Sequence, residues 1–148
     1  MTHRILLGAL LAGVLAWLPA VAQPSTPAGT WKTISDRTGK ATSYVRIDEV
    51  DGRFDGTVVG LIDPPKPNPL CDLCSGTRKG RPVLGMTILR GVRAEGDGSW
   101  GGGDILDPQS GKTYRVRLTL RDGGQRLRVR GYIGIPLLGR TQTWIRVP

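Results

Sequence analysis

The 148-residue chain carries a formal charge of +9, from 21 basic and 12 acidic residues, and has a single histidine, His3. Because His3 lies in a segment that we expect export to remove, the mature protein has no imidazole, which excludes Ser-His-Asp and Cys-His nucleophiles and His-ligated zinc. The positive charge predicts attraction to anionic surfaces, although a solvated basic face that only keeps the protein in solution explains it equally well.

The first residues are typical of an export signal. His3 and Arg4 give a short positive start, residues 5–18 form an apolar run, and Ala20-Val-Ala22 is a small-x-small cleavage site. An uncleaved N-terminal membrane anchor is the alternative, because the uncharged stretch is near the lower length limit for spanning a bilayer. The Ala-x-Ala ending favours cleavage.

Cleavage at that site leaves a mature chain whose size suits one domain with one core. We therefore expect a periplasmic or secreted protein of a Gram-negative type of envelope, which does not span the membrane after cleavage. Nucleic acid is not an expected partner, because an exported chain without stacking aromatics in a binding motif is poorly suited to it. The predicted units are a signal peptide over residues 1–22, a short linker over 23–28 and a β-barrel domain over 29–148.

The mature sequence consists of short strand-like segments separated by Gly, Asp and Pro, without a helical period. Asp51-Gly52 is a two-residue hairpin turn, because both central positions of such a turn need a positive φ. An antiparallel series of this size either keeps exposed edges or closes on itself, and closure removes the edges. We predict an all-β fold, a single antiparallel up-and-down β-barrel of about eight strands with an apolar interior, and a β-sandwich is the alternative. The predicted strands cover residues 29–34, 43–50, 53–62, 84–93, 100–106, 114–121, 126–133 and 139–147.

Two of these strands alternate strictly between apolar and polar residues, which indicates one buried and one solvated face. They are the strands over residues 114–121 and 126–133. We expect their apolar face to line the barrel interior and any ligand cavity in it. The candidate lining residues are Tyr114, Val116, Leu118, Leu127, Val129 and Ile133.

Arginines occupy the opposite face of the same hairpin. If Gly123-Gly124 is the turn, Arg117 lies directly across from Arg130. Like charges facing each other across two strands are destabilising, so acidic neighbours or a bound anion should compensate. We predict an anion-attracting outer face, with a merely solvated basic surface as the alternative. Its candidate residues are Arg115, Arg117, Arg128 and Arg130.

The longest connection, Asp63 to Pro82, contains the only two cysteines and is rich in proline, which cannot donate to a strand ladder. A disulfide between Cys71 and Cys74 fits an oxidising compartment and would shape this loop as a lid or a partner surface. Thiol redox chemistry is the alternative, because neighbouring cations such as Arg78 could lower a thiolate pKa. A metal site is not expected, since two sulfurs are half of a tetrahedral ligand set.

The two ends of the domain carry a matching pair of aromatic and basic residues. Gly29-x-Trp31 on the first strand and Trp144-x-Arg146 on the last resemble the barrel-closing arrangement of lipocalin-like proteins. The resemblance implies that Trp31 plugs one mouth of the barrel and that Arg146 covers its ring by a cation–π contact of roughly 0.5–2 kcal/mol. Two ordinary core tryptophans are the alternative.

A longer set of residues, spread over nearly the whole mature chain, carries a second resemblance. The set comprises Gly29-Thr-Trp31, Cys71-x-x-Cys74-x-Gly76, Lys79, Pro82, Gly85, Trp100-x-Gly102-Gly103-x-Ile105-x-Asp107-Pro108-x-x-Gly111-Lys112-x-Tyr114, Leu127-x-Val129-Arg130-Gly131-Tyr132-Ile133-Gly134 and Leu138-Gly139-Arg140-Thr141-x-x-Trp144-x-Arg146. In this pattern the chain resembles the bacterial secreted family known as domain of unknown function 2147. The resemblance implies a small exported, barrel-like domain of unassigned activity.

Three function hypotheses follow from these expectations. The first is an exported barrel that binds an apolar or amphipathic, lipid-like small molecule in its interior. The second is a cell-envelope interaction protein with a filled core and a basic, anion-binding face, and the third is a Cys-x-x-Cys thiol redox protein. An interior cavity of a few hundred Å³ would favour the first hypothesis over the second. We expect neither enzymatic activity nor a cofactor.

Overall fold

Eight β-strands form the domain, and their bounds follow the sequence pattern closely. The computed structural model describes residues 17–20, 22 and 25–148. The predicted signal peptide lies mostly outside these residues and stays a prediction. In chain order the strands are β1 (Gly29–Ile34), β2 (Ala41–Val50), β3 (Arg53–Leu61), β4 (Thr87–Ala94), β5 (Ser99–Asp107), β6 (Lys112–Arg121), β7 (Arg126–Tyr132) and β8 (Gly139–Arg146).

The eight strands pair antiparallel in sequence order, and β1 also pairs with β8, so the sheet closes into a barrel. At this closing seam, Trp31 pairs with Arg146 and Lys32 with Ile145. Closure gives both outer strands of the sheet a partner. The predicted up-and-down barrel is therefore confirmed, and the β-sandwich alternative is wrong.

The tight turns have the geometry that their sequences predict. Between β2 and β3, Asp51 and Gly52 have φ values of 52° and 73°, in the region that a two-residue hairpin turn requires. Between β6 and β7, Arg117 lies opposite Arg130, which confirms the predicted register.

Because neighbouring strands run in opposite directions, the connections divide between the two ends of the barrel. The β2–β3, β4–β5 and β6–β7 turns lie at one end, where residues 25–28 also lead into β1. We call this the closed end. The β1–β2, β3–β4, β5–β6 and β7–β8 connections lie at the other end, which we call the mouth.

Apolar side chains from all eight strands fill the barrel interior. The rings of Phe54 and Trp100 meet edge to face, with centroids 6.4 Å apart. Each large apolar side chain buried in this way stabilises the fold by roughly 1.5–3 kcal/mol. The largest fully buried side chains of the strands are Trp31, Val45, Ile47, Val58, Leu89, Val92, Val116, Leu118, Leu127 and Trp144.

The connection over residues 62–86, which we call the clipped loop, covers part of the outer surface of the barrel. On β4, Ile88 and Leu89 are adjacent yet 6% and 0% exposed. Since successive residues of a strand point to opposite faces, the outer face must be covered here too. Leu106 on β5 is buried for the same reason, at 3% exposure.

Cysteine sulfurs and one arginine anchor the clipped loop to the barrel. Cys71 and Cys74 belong to the same buried cluster as the core, and Sγ of Cys71 lies 3.5 Å from the carbonyl oxygen of Pro108 in the β5–β6 turn. Nη2 of Arg78 donates to Oγ1 of Thr113 on β6 at 3.4 Å. The loop is therefore held on the side of the barrel, next to the mouth.

Candidate functional site

Arg146 and the segment before β1 seal the closed end. The guanidinium carbon of Arg146 lies 4.2 Å from the ring centroid of Trp31. The same guanidinium donates to the carbonyl oxygens of Gly124 at 2.7 Å, Ala28 at 2.7 Å and Thr26 at 2.9 Å. Burial lowers the pKa of Arg146, but an arginine stays charged at neutral pH. The contact between Trp31 and Arg146 that the resemblance implied is thus present in the structure.

The residues predicted to line a cavity divide between the core and the mouth. Tyr114 shares the inward face of β6 with the core residues but is only half-buried, because it lies nearer the mouth. The prediction for Ile133 is wrong, since β7 ends at Tyr132 and Ile133 is 60% exposed in the β7–β8 turn. Side chains fill the interior at the level of the other four. Those four, which are at most 3% exposed, are Val116, Leu118, Leu127 and Val129.

A polar network leads from the core to the mouth along β8. Trp144 lies opposite Leu127 and Gln142 opposite Val129, so both side chains face the interior. Nε1 of the Trp144 indole donates to Oε1 of Gln142 at 2.9 Å, and Nε2 of Gln142 donates to Oδ1 of Asp36 at 3.3 Å. The buried indole is thereby connected to a carboxylate at the mouth.

Asp36 and Arg140 form a two-pronged ion pair at the mouth. Nε of Arg140 donates to Oδ2 of Asp36 at 2.9 Å, and Nη2 donates to Oδ1 at 2.6 Å. Burial acts to raise the pKa of Asp36, but hydrogen bonds from Arg140 and Gln142 and the guanidinium charge outweigh it and lower that pKa. The hydrogen bond to Asp36 is the main cause of the raised pKa of Arg140. Both groups are therefore charged at neutral pH.

This ion pair lies beside the shortest strand pairing of the described barrel. β1 and β8 share two paired positions, whereas β7 and β8 share seven. On β8 the paired residues, Ile145 and Arg146, are the last two of the strand, so the pairing is confined to the closed-end part of β8. Toward the mouth, the side chains of Asp36 and Arg140 bridge the seam instead of backbone hydrogen bonds.

Hydroxyl groups form the adjoining part of the inner wall. Thr33 has the same orientation on β1 as Trp31 and is 5% exposed. Its Oγ1 lies 2.8 Å from Oγ of Ser43 and 2.9 Å from Oγ1 of Thr42. Together with Gln142, these groups give the mouth both donors and acceptors, which suits the polar end of a ligand.

Exposed apolar side chains lie in the turn at the same end of the barrel. This set, which we call the apolar rim, has exposed fractions between 55% and 80%. Clustered apolar exposure of this kind marks contact sites for ligands or other apolar surfaces. The apolar rim consists of Ile133, Ile135, Leu137 and Leu138.

The mouth network was not predicted from the sequence. Asp36 and Arg140 are 104 residues apart, so no local pattern links them. A usable signal was present on β8, where Arg140 and Gln142 occupy the same inward-facing alternate positions as Trp144. Polar residues at positions that should be apolar indicate either a site or a barrel opening.

The predicted anion-binding face on β6 and β7 is partly occupied by groups of the chain itself. Arg117 forms an ion pair with Glu95 at 3.2 Å. All three guanidinium nitrogens of Arg130 donate to the β7–β8 turn and to a β8 hydroxyl, at 2.9–3.1 Å. These partners offset the repulsion between the two facing arginines. Arg115 and Arg128 are exposed, and anion binding by them stays a prediction.

Cys71 and Cys74 form the predicted disulfide. The two cysteines are 0% and 3% exposed. A turn of three residues, Gly76–Arg78, follows them, which is too short to act as the helix N-terminus of a redox motif. This environment is that of a structural disulfide.

The residues that the structure describes, 17–20, 22 and 25–148, lack two kinds of feature. In that part of the chain, His, Cys, Asp and Glu side chains do not gather in groups of three or more that could hold a metal ion. Helices long and apolar enough to cross a bilayer do not occur there either.

Known proteins share this architecture. A solved structure described as "Protein HP1028 from the human pathogen Helicobacter pylori belongs to the lipocalin family" is similar in fold, with a TM-score of 0.71, 24% sequence identity and coverage of 82% of each chain. No curated protein matches the sequence significantly. The family described as "Uncharacterized protein conserved in bacteria (DUF2147)" matches residues 29–146, which span the whole barrel. The chain therefore belongs to the bacterial DUF2147 family and has a lipocalin-like fold.

Proposed function

We propose that this protein is an exported barrel that binds a small amphipathic molecule at its mouth. The observation that carries the proposal is the polar network from Trp144 through Gln142 to Asp36 and Arg140. It faces inward at the end of the barrel opposite the one that Arg146 seals.

The chemistry of the network suits an anionic or strongly polar head group. A ligand carboxylate or phosphate would compete with Asp36 for the guanidinium of Arg140, and the amide of Gln142 would supply a further donor. The apolar part of the ligand would lie on Tyr114 and the apolar rim, and it would remove the apolar surface of these side chains from water.

The filled core limits how deep such a ligand can lie. Trp144 is 1% exposed and the residues beneath it are as buried, so the proposed site is a shallow one above this layer. This differs from the deep interior cavity that we expected from the sequence. A shallow site also favours a short ligand over a long acyl chain.

The alternative functions have less support. The hypothesis of a basic envelope-binding face has less support because two of its four arginines, Arg117 and Arg130, already have partners within the chain. The thiol redox hypothesis has less support because the disulfide sulfurs are buried. Export rests on the N-terminal sequence and agrees with a disulfide in an oxidising compartment. We propose binding alone, without catalysis or a cofactor.

Mass spectrometry of molecules that co-purify with the protein from its native envelope tests the proposal. We expect an amphipathic species with the wild type, and recovery lowered about tenfold or more when Arg140→Gln is combined with Gln142→Leu, since charged hydrogen bonds are lost. Arg128→Gln, which removes the same charge from the outer face of β7, is the matched control and should retain the ligand. Equal recovery from all variants, or none from the wild type, would contradict the proposal.

A further inference from the structure

A basic groove lies outside the barrel, between the clipped loop and β4. It is a shallow depression of about 360 Å³, largely open to solvent, and is lined by three arginines without an acidic side chain among them. These are Arg78 and Arg81 from the clipped loop and Arg90 from β4. Thr77 and Thr87 also line the groove, and Oγ1 of Thr87 forms a hydrogen bond with Oγ1 of Thr57 at 3.2 Å.

The groove continues along β3 and β4 into a second concave region. This region, of about 340 Å³, shares Thr87 and Arg90 with the first and adds Arg53 and Asp55. The single carboxylate here has partners already, because Oδ2 of Asp55 pairs with Arg53 at 3.1 Å and Oδ1 accepts from the backbone N–H of Gly91 at 2.7 Å. The positive charge of the groove therefore comes from the other three arginines.

These three arginines are not neutralised by neighbouring acids. In the described part of the chain, Arg78, Arg81 and Arg90 form no ion pair within 4 Å, even though Arg90 lies opposite Asp104 in the β4–β5 register. Within the same residues, Nη1 of Arg78 is buried without a hydrogen-bond partner. That nitrogen is buried and so does not face the groove, but the three like charges around the groove repel each other.

We infer that this groove is a binding site for a phosphate group. Guanidinium groups match phosphate geometry with paired N–H donors, and threonine hydroxyls add neutral donors. Three positive charges suit a group that carries close to two negative charges at pH 7 better than they suit a carboxylate. The apolar side chain of Leu84, which also lines the groove and is 49% exposed, would accommodate the carbon part of a phosphorylated molecule.

Titration calorimetry of the purified protein at about 0.15 M ionic strength, where distant charges are screened, tests the inference with two probes. Inorganic phosphate tests a free phosphate or phosphorylated metabolite, and phosphatidylcholine vesicles containing phosphatidic acid test a lipid head group. We expect saturable binding of at least one probe that weakens about tenfold or more in Arg81→Gln and in Arg90→Gln, because each loses charged hydrogen bonds. Binding of the vesicles alone would identify the lipid as the source.

The matched control is Arg121→Gln, which removes one exposed positive charge from the closed-end part of β6, away from the groove and outside the candidate anion-binding residues of β6 and β7. It should change the affinity less than about twofold, as expected for a screened, distant charge. If neither probe binds saturably, or if Arg121→Gln weakens binding as much as the groove variants, the inference is overturned. Because the mouth is untouched by these substitutions, ligand co-purification at the mouth can be scored separately in the same variants.

Discussion

Replacing Arg146 by alanine tests whether the sealed end holds the barrel closed. The change removes hydrogen bonds to three carbonyl oxygens at 2.7, 2.7 and 2.9 Å and the cation–π contact at 4.2 Å. Bonds from a charged donor contribute about 1.5–3 kcal/mol each, and the cation–π contact about 0.5–2 kcal/mol. Water can reach this half-buried site and replace part of the loss, so we expect the free energy of unfolding to fall by about 3–5 kcal/mol.

Urea titrations followed by tryptophan fluorescence and circular dichroism measure this loss. Arg146→Lys keeps the charge over Trp31, but an ammonium cannot serve three carbonyls in one plane, so its loss should be about half as large. Arg128→Ala, at an exposed position of β7, should change stability by less than about 0.5 kcal/mol. The sealing role is refuted if Arg146→Ala costs no more than Arg128→Ala.

Three further predictions concern the mouth and the clipped loop. Asp36→Asn should lower the free energy of unfolding by about 1 kcal/mol at pH 7, a modest value because the partner Arg140 is 41% exposed and screened. A lowered carboxyl pKa stabilises the fold above the unfolded pKa of about 3.9, so in urea titrations the wild-type advantage should vanish as pH falls through the lower folded value. Replacing Cys71 and Cys74 by alanine should cost about 2–3 kcal/mol, from the lost chain constraint and buried sulfur, and trypsin should cut the loop faster. Gly111→Ala should cost about 3 kcal/mol in chemical denaturation, because its φ is +71° and a Cβ would overlap the Leu73 carbonyl group of the clipped loop.

Control variants distinguish the effects at Asp36 and Gly111 from the general effect of replacing a carboxylate or a glycine. Asp48→Asn removes a carboxylate of β2 that is 60% exposed and pairs with Arg46, and it should change the free energy of unfolding at pH 7 by less than about 0.5 kcal/mol. Gly39→Ala has a similar φ of +69° but meets nothing within 4 Å, so it should cost only about 1 kcal/mol. A pH-independent deficit in Asp36→Asn would contradict the ion pair at the mouth. Equal costs for Gly39→Ala and Gly111→Ala would contradict docking of the loop, and unchanged proteolysis without the disulfide would contradict its anchoring role.

Local sequence features were sufficient to predict most of the barrel. Strand ends fall within three residues of the predicted ones, because period-two alternation and Gly or Asp turns act over short distances. β4 begins later than predicted, at Thr87, because Gly85 has a φ of 86° and Met86 donates to Val83, so the chain turns here instead of staying extended. The register of β6 and β7 was predictable because a short turn fixes it.

Contacts between distant segments could not be predicted in the same way. The pairing of Asp36 with Arg140 depends on closure of the barrel, which brings the β1–β2 connection beside β8. The placement of the clipped loop against β4 was indicated only by consecutive apolar residues, Ile88 and Leu89, which imply that both faces are covered. The sequence indicated that some group must offset the repulsion between the facing arginines. It did not identify Glu95 as the partner of Arg117, because that contact depends on how the strands pair in the fold.

Mapping of backbone amide shifts by NMR, on titration with the amphiphile recovered from the envelope, tests ligand binding at the mouth most directly. We expect the largest shifts at Thr33, Asp36, Tyr114 and Gln142, and unchanged signals at the sealed end around Gly124. Shifts that centre on the sealed end or on the outer arginines of β6 and β7, with the mouth signals unmoved, would contradict the proposed function.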